Sequence, residues 1–299
     1  MTERLDVQYS SGGDVIRAWF YPGAGPGRRP AIVFCPGFTG TKFAAFYQPY
    51  VAAFAAAGWS VLLADYRGWG ESGGPRGEIV PQRQVQDIRA GLTYAASRED
   101  VDPQGLSLFG VSFGGGIAVA VAGLDSRVRS CIVVSPVSDG ELWLHEMRRE
   151  YEWREFLAEL DENDADMVAG GSGRSLPAGD GIMIPTPEKR ATNIKGDVPA
   201  AMVPGKTPLW CARAIIDFRP VDQIARTAAA VLVFAVSRDA TVPAAHGRAI
   251  FEASPRARRL VTIDAASHYA TYVDHFDAIS AHSLTWLADH GAPRTLTVE

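Results

Sequence analysis

The stretch that decides the fold is Leu-Ser-Leu-Phe-Gly-Val-Ser-Phe-Gly-Gly-Gly-Ile-Ala-Val-Ala, residues 106–120. It begins with a short apolar run that is typical of a strand buried on both faces. From Gly114 onward the residues are small and apolar, which favours a helix packed closely against that strand. The Gly-x-Ser-x-Gly pattern at the junction predicts a sharp turn that exposes the hydroxyl of Ser112. Ser112 is therefore the candidate nucleophile.

A second Gly-x-Ser-x-Gly match, Gly70–Gly74, puts Ser72 in a different context. A strand pattern also precedes Ser72, but the glycine- and proline-rich residues after it are typical of a loop. Without a helix behind the serine, the turn cannot present its hydroxyl beside a helix N-terminus. We interpret Ser72 as part of a structural turn.

A serine hydroxyl is a weak nucleophile near neutral pH, so it needs a base that is oriented by a carboxylate. After this kind of turn, the acid follows the serine in the chain and the histidine comes last. Asp239 directly follows the apolar run Ala230–Val236, and His268 lies in the loop after Leu260–Ile263. Both lie after the end of a strand, where α/β sheets place their sites. We predict Asp239 as the acid and His268 as the base.

Alternatives to these two residues exist in the sequence. Asp239 could instead cap the helix that follows it, and Asp139 is a rival acid at the end of another apolar run. The other histidines lie in predicted helices or in the insertion described below. They are His145, His246, His275, His282 and His290.

The attacked carbonyl becomes an oxyanion, which needs backbone N–H donors already in place. The amide of Phe113, next to the nucleophile, is the first predicted donor. The second is predicted in the loop after the apolar run Ala31–Cys35. There Pro36 has no N–H, and Gly37 gives the chain the freedom to turn the amide of Phe38 inward. A plain Pro-Gly turn is the alternative.

Strand and helix patterns alternate along the chain, which predicts an α/β fold. Leu5–Tyr9 and Val15–Tyr21 flank a turn-rich stretch and predict an antiparallel hairpin. Short apolar runs follow, as expected for a mostly parallel sheet of about eight strands flanked by helices. These runs are Ala31–Cys35, Ser60–Ala64, Leu106–Gly110, Cys131–Val134, Ala230–Phe234 and Leu260–Ile263. Helices are predicted at Tyr47–Gly58, Pro81–Ser97, Gly114–Gly123, Val242–Ala253 and Tyr272–His290.

The alternation stops at residues 140–210, where no convincing buried strand is found. This segment begins with a charged and aromatic stretch, Glu141–Leu160, which predicts a helix, and it ends rich in proline. Long insertions in compact domains tend to be functional. We therefore interpret residues 140–210 as a cap or lid, with 1–139 and 211–299 forming one core domain.

Aromatic and methionine side chains of the predicted cap could line a pocket for an apolar or aromatic acyl group. They could equally form the cap's own small core, and the sequence leaves both possibilities open. The candidates for substrate binding are Trp143, Met147, Trp153 and Trp210, and Tyr151 and Phe156 share their character.

Composition argues against several kinds of partner and site. The 299 residues carry a net charge of -5 with scattered Lys and Arg, which disfavours nucleic acid and anionic membranes as partners. No apolar run reaches the roughly 18 residues that cross a membrane, and the N-terminus has no apolar signal core. The three cysteines lie far apart, which argues against disulfides and zinc sites. We expect a cytoplasmic protein without metal or cofactor that acts on a small-molecule acyl substrate, with a homo-oligomer left open.

Together and in this order, the motifs resemble the α/β-hydrolase superfamily, and most nearly its dienelactone-hydrolase-like and cocaine-esterase-like (acyl-peptidase-like) branch. The resemblance covers about residues 14–139 and 213–290. The segments that carry it are Pro36–Phe38, Asp65–Gly73, Gly110–Gly115, Asp239–Pro243 and Ser267–His268.

The resemblance implies a serine hydrolase that cleaves carboxylic esters through an acyl-enzyme on Ser112. Asp239 and His268 would complete its catalytic triad, and Phe38 and Phe113 its oxyanion hole. Serine rather than aspartate as the nucleophile argues against dehalogenase and epoxide-hydrolase chemistry on the same fold. Acyltransferases, thioesterases, amidases or peptidases, and C–C bond hydrolases use the same triad and remain alternatives. A non-catalytic binding member of the fold is a further one, which the intact triad argues against.

Overall fold

The apolar runs of the sequence form strands in the computed structural model, which describes residues 3–193, 196, 198–255 and 257–292. The strands are β1 (Leu5–Ser11), β2 (Asp14–Tyr21), β3 (Arg29–Cys35), β4 (Ser60–Ala64), β5 (Val101–Val111), β6 (Val128–Val134), β7 (Ser175–Pro177), β8 (Lys206–Pro208), β9 (Ala230–Val236) and β10 (Arg258–Ile263). The helices are α1 (Tyr47–Ala56), α2 (Pro81–Ser97), α3 (Phe113–Leu124), α4 (Gly140–Glu146), α5 (Glu150–Val168), α6 (Pro187–Ala191), α7 (Cys211–Ile216), α8 (Pro220–Ile224), α9 (Ala244–Ala253), α10 (Thr271–Asp274) and α11 (Phe276–His290). A short 3-10 turn covers Ala200–Met202.

One sheet of eight strands organises the chain, in the order β1-β2-β4-β3-β5-β6-β9-β10. The predicted hairpin is confirmed, since β1 pairs antiparallel with β2 and aligns Leu5 with Phe20. β2 is also antiparallel to β4, and every later pairing in this sheet is parallel. The predicted α/β class, with a mostly parallel central sheet flanked by helices, is therefore confirmed.

Both faces of the sheet are buried, which explains why its strands read as continuous apolar runs. Along β3, Val33 belongs to the apolar cluster on one face, whereas Ile32 and Phe34 belong to the cluster on the other. On one face, helices α1 and α11 pack together, and α11 contacts β6 and β9. On the opposite face, α2 packs against α3, and α3 packs against α8. Fully burying a side chain such as Phe34 contributes about 1.5–3 kcal/mol.

Between β6 and β9 the chain leaves the large sheet for α4, α5, the antiparallel pair β7–β8, and α6. The helical character predicted for Glu141–Leu160 is confirmed, although the chain turns between α4 and α5. Arg149 there is extended (φ -71°, ψ 159°), and its N–H donates to the Glu152 carboxylate at 2.7 Å, which caps α5.

The single terminal helix predicted over Tyr272–His290 is also divided, into α10 and α11. The division falls at His275, whose φ of -110° departs from helical geometry. As a result, Tyr272 on α10 is buried beside the loop that carries His268, while α11 packs against the sheet.

None of the helices in the described part of the chain is long and apolar enough to span a membrane. Over the same residues, His, Cys, Asp and Glu side chains form no group of three or more that could hold a metal ion. All three cysteines are buried and free of disulfides.

Candidate active site

Ser112 lies at the sharp turn between β5 and α3, as predicted. Its backbone has φ 54° and ψ -127°, a conformation that non-glycine residues rarely adopt. Its N–H donates to the carbonyl of Val134 on the neighbouring strand at 2.8 Å, which anchors the turn to the sheet. The turn places the serine side chain at the edge of a cavity.

The two glycines of the motif are needed because backbones approach closely here. A Cβ on Gly114 would lie 2.1 Å from the carbonyl oxygen of Pro36 and 2.3 Å from that of Cys35. A Cβ on Gly110 would lie 2.5 Å from the carbonyl oxygen of Gly114. Helix α3 can therefore pass close to β5 and to the loop after β3 only because both positions lack a side chain.

The structure brings Ser112, His268 and Asp239 together in one hydrogen-bond chain. The Nε2 atom of His268 is 3.0 Å from Ser112 Oγ, and its Nδ1 atom is 2.6 Å from Asp239 Oδ2. The three residues come from the loops that follow β5, β9 and β10. Because Asp239 accepts a hydrogen bond from Nδ1–H, the proton of the neutral imidazole stays on Nδ1, and Nε2 keeps its lone pair and can accept the serine proton.

The Asp239 carboxylate is buried but well supplied with donors. Its Oδ1 atom accepts from the backbone N–H groups of Thr241 and Val242, each at 2.8 Å. Burial alone would raise the pKa of Asp239, but the charge and hydrogen bond of His268 and these two amides bring it below its usual value. Asp239 is therefore ionised near neutral pH and can orient His268.

The loop after β3 lies against the serine, where the second oxyanion donor is predicted. A Cβ built on Gly37 would be 3.6 Å from the Ser112 Cβ, and the Gly37 N–H donates to the Tyr47 hydroxyl at 3.0 Å. In the described part of the chain, the amides of Phe38 and Phe113 donate to no acceptor. Both amides are thus available to a bound oxyanion.

A cavity of about 170 Å³ opens beside Ser112. The core contributes mainly aromatic side chains to it, and the segment between β6 and β9 contributes Met183, Lys189, Thr192 and Asn193. From the core it is lined by Gly37, Phe38, Thr39, Phe46, Tyr47, Val111, Ser112, Thr241, His268, Tyr269 and Tyr272.

None of the four residues predicted to bind substrate lines this cavity, so that prediction is corrected. Trp143 is fully buried, with its ring 5.5 Å from that of Phe38 and its indole N–H donating to the carbonyl of Thr241. Trp153 stacks on His145, and Met147 and Trp210 pack against the same buried apolar cluster. These contacts fit the other possibility that the sequence left open, in which the side chains form a core.

The rival residues have other roles in the structure. Ser72 is buried, and its Oγ donates to the carbonyl of Asp65 while accepting from the Arg17 N–H. Asp139 caps α4 through the N–H of Leu142 and pairs with Arg219. The contacts of Ser72 agree with the structural turn inferred from the sequence, and those of Asp139 give it a structural role at α4.

The remaining histidines also lie in other environments. The Nδ1 atom of buried His246 is 2.7 Å from Ser138 Oγ, and its Nε2 atom is 3.0 Å from the Glu146 carboxylate. His145 pairs with Glu150. His275 lies between α10 and α11, and the rings of His282 and His290 contact Phe234 and Trp286.

Two features of the site were not predicted from the sequence. Tyr272 places its hydroxyl 3.3 Å from His268 Nε2; its position four residues after the histidine is the only local signal for it. Glu188 on α6 accepts from the Ser267 hydroxyl and from the Tyr269 N–H, on both sides of His268. No local pattern marks Glu188, because its contacts depend on how the segment after β6 folds.

Comparison with known proteins shows the fold and a family match over part of the chain. The model for the family described as Serine aminopeptidase, S33 matches residues 27–160. The structure named "The structure of DcsB complex with its substrate analogue" superposes with a TM-score of 0.81 and 20% identity, covering 97% of this chain and 100% of that one. The α/β hydrolase GrgF from Penicillium sp. sh18 superposes with a TM-score of 0.78 and 21% identity, covering 97% of this chain and 99% of that one, so the chain has the fold of an α/β hydrolase.

The chain also has relatives of similar length. The chain is 27% identical to an uncharacterized 31.7 kDa protein in the traX-finO intergenic region of Escherichia coli, over 88% of this chain and 92% of that protein. It is 34% identical to the polyketide transferase af380 of Aspergillus fumigatus, over 58% of this chain and 57% of that protein.

Proposed function

We propose that this α/β-hydrolase is a serine hydrolase that cleaves a carboxylic ester, or a related acyl bond, of a small molecule. One observation carries the proposal: an unbroken hydrogen-bond chain from Asp239 through His268 ends at the hydroxyl of Ser112, beside the cavity. The strained backbone of Ser112 and the two available amides next to it support the same chemistry.

In the proposed acylation step, His268 Nε2 takes the proton of Ser112 as Oγ attacks the carbonyl carbon. The carbonyl oxygen becomes an oxyanion, which accepts hydrogen bonds from the amides of Phe38 and Phe113. The imidazolium is stabilised by ionised Asp239. Nε2 then gives its proton to the leaving group, the bond from the acyl carbon to that group breaks, and an ester to Ser112 remains.

In the proposed deacylation step, water takes the place of the leaving group. It gives a proton to His268 Nε2 as its oxygen attacks the acyl carbon, and the same two amides hold the oxyanion. The bond between Ser112 Oγ and the acyl carbon then breaks, Oγ recovers a proton from Nε2, and the carboxylic acid is released.

The volume and the lining of the cavity favour a compact, apolar acyl group. An apolar cavity of about 150 Å³ in another protein holds one benzene molecule, and the cavity here measures about 170 Å³. Aromatic side chains such as Phe46 and Tyr269 line it, and Met183 and Lys189 approach from the segment between β6 and β9. We propose that residues 140–210 act as a cap that covers the acyl site.

Acyl transfer is the second candidate, because the chain is similar to a polyketide transferase. The chemistry on Ser112 is the same in both cases, and only the group that resolves the acyl-enzyme differs. Adding alcohols or amines at fixed ester concentration separates the two. A transferase forms new esters or amides in preference to the free acid.

The proposal is tested by hydrolysis of p-nitrophenyl acetate, butyrate and octanoate. We expect acetate and butyrate to be better substrates than octanoate, since the cavity accommodates a group of about ring size. Ser112→Ala should lose the activity, and Ser72→Ala, which alters the other Gly-x-Ser-x-Gly match, should keep it. Hydrolysis that survives in Ser112→Ala contradicts the proposal.

A further inference from the structure

The hydroxyl of Tyr272 lies beside the same nitrogen of His268 that contacts the serine. Its oxygen is 3.3 Å from Nε2, while Ser112 Oγ is 3.0 Å from that atom. Tyr272 is only 3% exposed, and it is one of the residues that line the cavity. A group in the cavity that contacts both Ser112 and His268 therefore also lies close to this hydroxyl.

The position of Tyr272 is fixed by its neighbours rather than by a substrate. The hydroxyl of buried Tyr50 donates to the carbonyl of Tyr272 at 2.8 Å, which anchors α10. The Tyr272 ring packs against Phe46 at 5.2 Å and meets the His268 ring edge-on at 5.4 Å. A donor held in this way needs little reorganisation when charge develops next to it.

The hydroxyl of Tyr272 is suited to donate a hydrogen bond rather than to give up its proton. Burial raises the pKa of Tyr272 well above its usual value, so the phenol stays protonated. Once His268 Nε2 has taken the serine proton, it can no longer accept a hydrogen bond from Tyr272. The nearest new acceptor is then the heteroatom that leaves the acyl carbon, because it too must lie next to Nε2.

We propose that Tyr272 is a further catalytic residue, whose O–H donates a hydrogen bond to the heteroatom of the leaving group. The inference rests on the proposed acyl-enzyme function. As the bond from the acyl carbon to the heteroatom breaks, the proton on His268 moves to the heteroatom, and Tyr272 keeps its own proton. In deacylation the attacking water occupies this place, and the same hydroxyl orients it.

The test compares two leaving groups on one acyl chain, because they differ in their need for hydrogen bonding. Ethoxide is a strongly basic leaving group, whereas p-nitrophenolate is weakly basic and departs without such help. We expect Tyr272→Phe to lower kcat/KM for the ethyl ester by about fivefold to tenfold, the value of one neutral hydrogen bond. For the p-nitrophenyl ester, kcat/KM should stay within about twofold.

Tyr50→Phe is the matched control, since it removes a hydroxyl that anchors the same helix but contacts no atom of Ser112, His268 or Asp239 among the described residues. Any loss in this variant should be equal for the two esters. An equal loss for both esters in Tyr272→Phe, or no loss for either, overturns the inference. Failure of the wild type to cleave either ester, by contrast, contradicts the proposed function itself.

Discussion

Ser112 is held in a conformation that costs a non-glycine residue about 1–3 kcal/mol. The surrounding structure maintains it through the hydrogen bond of its N–H to Val134 and that of the Gly115 N–H to its carbonyl. The strain orients Oγ toward His268 in the absence of a substrate. Ser112 is thus positioned by its own backbone, whereas His268 is positioned by the carboxylate of Asp239.

Asp239→Asn should lower kcat by about 10⁴-fold, because an amide can donate to Nδ1 and so favours the wrong tautomer of His268. Steady-state kinetics with p-nitrophenyl butyrate at neutral pH measures the effect. A loss of less than tenfold would show that His268 is oriented by other contacts.

The same substitution should change how stability depends on pH. The folded-state pKa of Asp239 lies below its usual value, so its stabilising effect is complete above the unfolded value of about 3.9. That effect is lost as the pH falls through the folded-state pKa. The gap in unfolding free energy between wild type and Asp239→Asn, measured in urea, should therefore shrink as the pH falls below about 4. A gap that grows on acidification would have the opposite sign and contradict the assignment.

Loops at the ends of parallel strands bring the site together, and α6 adds a contact to one of them. Through a single oxygen, Glu188 on α6 accepts from the Ser267 hydroxyl and the Tyr269 N–H, which flank His268. The segment between β6 and β9 thereby contacts the histidine loop as well as the cavity. Its position and the orientation of His268 are coupled through this carboxylate.

Glu188→Ala should lower kcat about tenfold, because hydrogen bonds to a charged acceptor contribute about 1.5–3 kcal/mol each. Glu188→Gln is the matched control, since its amide oxygen can still accept both bonds and should preserve most of the activity. Kinetics of both variants with one ester checks this. Equal activity in Glu188→Ala and the wild type would show that the contact does not position His268.

At the scale of the elements, the sequence predicted what depends on local patterns. The strand, glycines and small residues around Ser112 specify the turn, and the apolar runs specify the buried strands. The terminal helix was predicted as one element because its composition does not mark the break at His275. Tyr272, Glu188 and the cavity residues of the segment after β6 depend on long-range packing, which single-sequence patterns do not encode.

In the molecule as a whole, one buried cluster joins the segment after β6 to the core. Trp143 on α4 packs against both Phe38 and Phe113, whose amides are the proposed oxyanion donors, with ring distances of 5.5 and 5.4 Å. Its indole N–H also donates to the carbonyl of Thr241, in the loop after Asp239. The core beneath the site is therefore continuous with the proposed cap.

Trp143→Ala should lower the free energy of unfolding by about 3–5 kcal/mol and also reduce kcat, because the cavity that it leaves lies beneath both amides. Trp153→Ala is the comparison variant: this side chain contacts His145 and Phe156, away from the triad, and should affect stability far more than kcat. Urea unfolding and ester kinetics measure the two effects. Normal kcat in Trp143→Ala would show that the core does not support the oxyanion site.

Covalent labelling tests the central role of Ser112 most directly. The protein is treated with a fluorophosphonate, and the modified peptide is located by mass spectrometry. We predict one adduct, on Ser112, which forms at the wild-type rate in Ser72→Ala, slowly in His268→Ala and not at all in Ser112→Ala. An adduct on another serine, or labelling that persists in Ser112→Ala, would contradict the assignment.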